Sequence, residues 1–213
     1  MIAPARFIAF EGGEGAGKST QARMLAEALR ARGLSVIVTR EPGGTPGAEA
    51  IRALLLNPPQ VAQTGGWTAE AEALLFAAAR ADHVARLIRP ALARGDWVIC
   101  DRFIDSSRAY QGGAGQLGDQ AITDLHRFGS GGLRPDRVIL LDGDEAALTQ
   151  RLAARGEAAD AIEARPPSYH RAVAQAFADL ADADPAGFAR IDAVGSTDAV
   201  HERILRAIAD LLP

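Results

Sequence analysis

The sequence predicts a doubly wound α/β fold on a five-stranded parallel sheet, and three observations predict it. Short, almost wholly apolar runs recur along the chain, segments of helical spacing lie between them, and a glycine-rich loop joins the first run to the first helical segment. Such runs suit strands buried on both faces of a parallel sheet. Their alternation with helices is the mark of this fold class. A chain of 213 residues is long enough for one ordinary domain with its own core.

The strand runs are "RFIAF" (6–10), "LSVIVT" (34–39), "WVICD" (97–101), "RVILLD" (137–142) and "FARID" (188–192). After the first, "KSTQARMLAEALRARG" places Met24, Leu25, Ala28 and Leu29 on one stripe and stops at Gly33. The segment "TAEAEALLFAAARADHVARLIRPALARG" predicts a long helix with a kink at Pro90 and an apolar stripe through Leu74, Leu75 and Ala78. Helical segments "DEAALTQRLAARG" and "STDAVHERILRAIADLL" follow the fourth and fifth runs. Residues 43–93 exceed one crossover, so a helical region over one end of the sheet is expected there. Residues 155–168, "RGEAADAIEARPPS", are charged and then proline-stopped, as a small lid would be; a plain surface loop is the alternative.

Composition narrows the function classes. Hydrophobic residues make up 48% and charged residues 23%, the balance of a globular protein with a real core. A net charge of −4 argues against a nucleic-acid binder, which needs a basic excess. No apolar run reaches the roughly 18 residues of a membrane span, and "MIAPARFIAF" lacks the apolar core of a signal peptide. The single cysteine, Cys100, fits a reducing cytoplasm and reads most simply as a small buried hydrophobe.

The loop "GGEGAGKS" (12–19) satisfies G-x-x-x-x-G-K-[ST] between a strand and a helix, which is the context a phosphate loop requires. Glycines at 12, 13, 15 and 17 allow positive φ, so that successive N–H groups converge on an anion at the positive end of the helix dipole. Residues Gly12, Gly13, Glu14, Gly15, Ala16, Gly17, Lys18, Ser19 and Thr20 are therefore the expected ATP contacts. Lys18 supplies charge to the β- and γ-phosphates and Ser19 a hydroxyl to Mg²⁺. Glu14 is an unfavourable neighbour for a triphosphate; it either meets a sugar hydroxyl of a second substrate or is solvated.

A GTP switch would need Asn-Lys-x-Asp, and the only asparagine, Asn57, precedes two prolines. A small kinase fits the size. In "CDRF", Asp101 stands at a strand end where it can hold Mg²⁺, and Arg102 beside it can clamp a phosphate bidentately. Arg40, in "TREPGGT", is either a second anion contact or part of a loop ion pair. Phe76 and Arg80 are i and i+4 on one helix, so a ring and a guanidinium share a face that could stack a base and bond its edge. Core packing of Phe76 with an exposed Arg80 is the alternative.

The ordered set "EGGEGAGKST", "TREPGGT", "LLFAAAR", "DRF" with "SSRAYQG", "RPDRVILLD" and "RLAARGE" resembles thymidylate kinases over essentially the whole chain. The resemblance implies a P-loop nucleoside monophosphate kinase-like fold with a lid, ATP and dTMP as substrates, Mg²⁺, and a homodimer built on helix contacts. It gives Glu14 the dTMP sugar, Phe76 the thymine stack, Arg80 the base edge and Arg102 the dTMP phosphate, with Asp101 near Mg²⁺. Ser107, Tyr110 and Gln111 become the wall beside base and sugar. Ala161 stands where family lids often carry an arginine, and Pro166-Pro167 is unusual there. No arginine lies in the phosphate loop, so Arg155 or Arg151 is the expected source of transition-state charge, with Arg165 third. The alternatives are another nucleoside monophosphate kinase, or a non-catalytic nucleotide-binding module.

Overall fold

The computed structural model describes residues 5–58, 66–143 and 160–213. Five parallel strands, β1 (Phe7–Gly12), β2 (Val36–Arg40), β3 (Trp97–Asp101), β4 (Arg137–Asp142) and β5 (Phe188–Asp192), form one sheet in the order β2-β3-β1-β4-β5. The strand order reverses beside β1, and an open α/β sheet binds ligands at the carboxyl edge of such a switch point. The predicted runs match these strands, β2 lying slightly later than expected so that Arg40 closes it.

Period-two alternation divides the core into two layers. Ile8 and Phe10 join Leu25 and Leu29 of α1 (Lys18–Ala31) on one face. Phe7 and Ala9 join Val98, Cys100 and Phe103 on the other. Phe7 meets Phe103 edge-on at a ring separation of 4.9 Å and is 1% exposed. Burying a ring of this size stabilises by about 1.5–3 kcal/mol. Cys100 is fully buried, as the apolar reading required.

Between β2 and β3 lie α2 (Pro46–Leu56), α3 (Ala69–His83), a π-helical turn at Val84–Ile88 and α4 (Arg89–Ala93). The long predicted helix is therefore real but broken. Pro90 cannot donate a backbone hydrogen bond, and the π turn lies immediately before the short helix that contains it. The stripe assigned to that helix needs correction. Leu74 and Ala78 are exposed and Leu75 is half-buried, whereas the buried side carries Ala73, Ala79, Arg80 and His83. Arg80 and His83 can turn inward because both find a buried carboxylate there.

After β3 come α5 (Ile104–Ser107), a π-helical turn at Arg108–Ala114 and α6 (Asp119–Ser130). Helix α7 (Pro167–Ala183) precedes β5, and α8 (Thr197–Ala207) packs against α1. The paired prolines have a simple role. Pro166 is extended, and Pro167 occupies the first helical position, where its missing N–H costs nothing. Of the expected lid, residues 160–168 are described. A turn there is fixed by Asp160 Oδ1, which accepts from the amides of Ile162 (2.8 Å) and Glu163 (2.9 Å).

Candidate active site

β1 ends at Gly12, whose φ of 133° lies in the glycine-favoured region. A Cβ there would stand 2.4 Å from the Leu141 carbonyl oxygen, so only glycine lets the chain leave the sheet beside β4. Gly17, with φ 89°, opens α1, and no side chain caps that helix. The first amides of α1 are thus left for an anion. Gly13 does not use positive φ, contrary to the expectation for it.

Lys18 is the first residue of α1 and only 6% exposed. Its Nζ donates to the carbonyls of Gly12 (3.1 Å) and Gly13 (2.7 Å), which folds it over the loop it serves. Burial, then the nearby Arg102, lowers its pKa, and Glu14, Asp101 and Glu11 oppose that. One residue on, the Ser19 hydroxyl donates to Asp101 Oδ2 across the β1–β3 edge.

Arg102 connects the two halves of the site. Its Nη2 donates to Glu14 Oε1 (2.6 Å) and its Nη1 to the Gly12 carbonyl (3.2 Å) and Ser106 Oγ (3.0 Å). The guanidinium lies 5.2 Å from the centre of the Tyr110 ring. The backbone at Arg102 has φ 68°, a left-handed conformation that costs a non-glycine residue about 1–2 kcal/mol. Two hydrogen bonds from backbone amides hold it there: Arg102 N–H donates to the Phe10 carbonyl at 2.8 Å, and Phe103 N–H donates to the Glu11 side-chain Oε1 at 2.8 Å. Glu11 also accepts from the Ser106 amide (3.1 Å) and hydroxyl (2.6 Å). Burial, reinforced by Asp105, pushes the Glu11 carboxyl up to about 7, against Arg102 and these donors.

Glu14 is paired with Arg102 and its side chain is 22% exposed. Burial alone would raise its pKa, but Arg102, then Lys18 and the Tyr110 hydroxyl, outweigh it and hold the carboxyl at about 2. The Tyr110 hydroxyl lies 3.3 Å from Glu14 Oε1.

The opposite wall comes from α3. Phe76 is half-buried on the cavity surface. Arg80 is 3% exposed, with Nε donating to Glu41 Oε2 (2.7 Å) and Nη2 to Ser107 Oγ (2.8 Å). The Gln111 amide donates to Glu72 Oε1 at 2.9 Å. Arg40 forms the loop ion pair, with Glu49 at 3.2 Å, while still reaching the cavity wall. Arg165 is already engaged, with Glu72 and with the Tyr169 hydroxyl. Arg151 and Arg155 lie outside the described residues.

One cavity of about 760 Å³ gathers Glu14, Gly15, Gly17, Lys18, Ser19, Thr20, Asp101 and Arg102 with Arg40, Phe76, Arg80, Ser107, Tyr110 and Gln111. That volume suits a nucleotide-sized ligand. Gly12, Gly13 and Ala16 do not line the cavity: the first two accept from Lys18 and Ala16 is buried in the core. Sequence reasoning missed Glu41, Arg52, Ser106 and Asp160 on the same wall. Glu41 was visible in "TREPGGT", but its partner Arg80 lies 39 residues away, and no local pattern links them.

A parallel sheet whose first turn is a phosphate loop, opening onto a second compartment with a ring and a guanidinium on its wall, places the chain among P-loop kinases of the nucleoside monophosphate kinase type. Comparison with known proteins narrows this. The family model described as thymidylate kinase matches residues 10–204. Thymidylate kinase from Rhizorhabdus wittichii is 57% identical over 211 residues, covering 99% of this chain and 100% of that protein. The Symbiobacterium thermophilum thymidylate kinase is 48% identical over 208 residues, covering 97% and 94%. The crystal structure of thymidylate kinase from Ehrlichia chaffeensis superposes with a TM-score of 0.74 at 31% identity, covering 96% and 98% of the two chains. The chain belongs to the thymidylate kinase family. It is a kinase, a phosphotransferase of nucleotide biosynthesis.

Proposed function

We propose that this enzyme transfers the terminal phosphoryl group of ATP to the 5′-phosphate of dTMP, with Mg²⁺, giving dTDP and ADP. The observation that carries the reading is the single cavity running from Lys18 and Ser19 to Phe76 and Arg80. It offers one end to a triphosphate and the other to a base, with Arg102 between them. Phosphoryl transfer asks little covalent chemistry of a protein; it needs in-line positioning and compensation of charge. The loop amides and Lys18 hold the donor phosphates. Arg102 orients the acceptor phosphate, whose oxygens are already anionic, so no general base is required. Glu14 and Tyr110 receive the sugar, and Phe76 stacks on the base.

Ser19 Oγ and Asp101 Oδ2 fit Mg²⁺. They are hard oxygen ligands already in contact, and Mg²⁺ takes one or two protein oxygens and completes its shell with phosphates and water. When bound, the ion offsets charge on the transferred group. Arg155 or Arg151 is the proposed lid cation. A coupled assay of ADP production with dTMP, dUMP, UMP, CMP and AMP tests the reading; dTMP should give the highest kcat/KM, and preference for any other monophosphate overturns it.

Phe76→Ala should weaken dTMP binding by about 1–3 kcal/mol, the range for base–aromatic stacking, with little change in the KM for ATP. Because the ring is only half-buried, thermal melting should show a folded protein. Unfolding with normal dTMP affinity per folded molecule would make Phe76 a packing residue instead.

We also propose a cytoplasmic homodimer. Leu74 on α3 is 56% exposed and Phe128 on α6 is 93% exposed, on two helices that pack together. A second copy would cover both. No helix among the described residues is long and apolar enough to cross a membrane. Sedimentation at micromolar concentration should give about twice the 22.3 kDa chain mass, and a clean monomer would remove the dimer.

A further inference from the structure

Arg80 reaches the cavity from within a buried network that the proposed chemistry does not use. Glu41 bridges two cations or donors at once: Oε2 takes Arg80 Nε at 2.7 Å, and Oε1 takes His83 Nδ1 at 3.0 Å. His83 Nε2 lies 2.7 Å from Thr39 Oγ1. Exposure is 3% at Arg80, 5% at Glu41 and 0% at His83. A carboxylate only accepts, so Nδ1 carries the hydrogen that meets Glu41. The glycines of "EPGG" close over this pair. A Cβ at Gly44 would lie 2.4 Å from Thr39 Oγ1 and 2.6 Å from His83 Nε2.

The network leaves the guanidinium no rotational freedom. Nε is held by Glu41, and Nη2 by Ser107 Oγ (2.8 Å) and the Phe103 carbonyl (3.4 Å). Nη1 has no hydrogen-bond partner among the described residues, and Arg80 lines the cavity. A fixed, donor-only group on that wall pairs with a ring carbonyl and repels a ring amino group, which also donates.

We infer that Glu41 and His83 are positioning residues for base selection: together they fix the Arg80 donor so that the site prefers a pyrimidine with a 4-oxo group over one with a 4-amino group. The inference rests on the proposed dTMP reading and deepens it. A carboxylate kept in a low-exposure setting is costly unless fully paired, and a core of apolar residues would be no less stable. Selection of the base supplies a reason for retaining the charges.

The test compares kcat and KM for dTMP and dCMP, the KM for ATP and the melting temperature in wild type, Glu41→Gln, His83→Leu and His83→Asn. Loss of the carboxylate charge and of one acceptor oxygen in Glu41→Gln, and of the His83 support of Glu41 in His83→Leu, should loosen Arg80 and raise the dTMP KM about ten- to a hundredfold. The ratio of kcat/KM for dTMP over dCMP should fall by a similar factor, with the KM for ATP unchanged. His83→Asn should restore selectivity, because its amide N–H stands where Nδ1–H stood. Should Glu41→Gln or His83→Leu fail to fold, Thr39→Val removes only the outermost hydrogen bond and should give the same pattern at smaller amplitude. Folded variants that change dTMP and dCMP equally, or only melt earlier, overturn the inference. Wild-type protein inactive on dTMP overturns the proposed function instead, and so separates the two failures.

Discussion

Lys18→Ala will fold, melt within a few degrees of wild type and lose about a hundred- to a thousandfold in kcat. The structural cost is small for particular reasons. Alanine is a good helix former at the first position of α1. The Gly12 carbonyl keeps Arg102 Nη1 as a donor at 3.2 Å, and the Gly13 carbonyl is partly exposed, so water can replace the ammonium. The catalytic cost is large because no other lysine is available: Lys18 is the only one in the chain. Burial lowers its pKa by removing water, and the same removal strengthens its pull on a developing negative charge. Lys18→Arg should not rescue, since a planar fork cannot donate to both loop carbonyls from one point. Stopped assays at saturating ATP and dTMP, with circular dichroism melts, decide the matter. Near-normal kcat in the alanine variant would remove the loop lysine from the mechanism.

What the sequence revealed and what it hid divide along sequence separation. Strands β1, β3 and β4 were legible because burial on both faces removes polar residues and leaves apolar runs, whereas the edge strand β5, with Arg190 and Asp192 exposed, carries only part of that signal. The phosphate loop was legible because all its parts lie within eight residues and act through the backbone. Pairs that cross the sheet were not. Glu14 meets Arg102 over 88 positions and Phe103 meets Glu11 over 92, and each carboxylate alone looks like a surface residue or an electrostatic problem. The face of α3 was misjudged for the same reason. Hydrophobic periodicity assigns Leu74 and Ala78 inward, but the helix turns Arg80 and His83 inward because Glu41, contributed by the β2 edge, satisfies both. Pro166-Pro167 looked like an irregular lid; next to α7 it is the start of a helix.

Arg102→Ala will separate stability from catalysis, because the side chain serves both. Arg102 is 15% exposed and its partner Glu14 22%, so the pair is only partly open to water. Removing the guanidinium strands the Glu14 carboxylate, which burial disfavours and Arg102 chiefly offsets. Stability should fall by about 1–3 kcal/mol. It should fall most at neutral pH. Glu14 has a folded pKa near 2, below its ordinary 4.5, so its contribution is present above that ordinary value and vanishes as pH falls through about 2. The difference in melting temperature between wild type and Arg102→Ala should therefore narrow as pH is lowered from about 5 towards 2. Backbone strain will not confuse this result, since alanine and arginine bear the same cost at φ 68°. Activity should fall further than stability, by about a thousandfold in kcat/KM for dTMP, if Arg102 orients the acceptor phosphate as proposed. Adding Glu14→Gln to Arg102→Ala removes the stranded charge. The double variant should regain much of the lost melting temperature but stay as inactive as Arg102→Ala, whereas with a purely structural ion pair its activity would rise to that of Glu14→Gln alone. Recovery of turnover in the double variant would show that Arg102 acts only by neutralising Glu14.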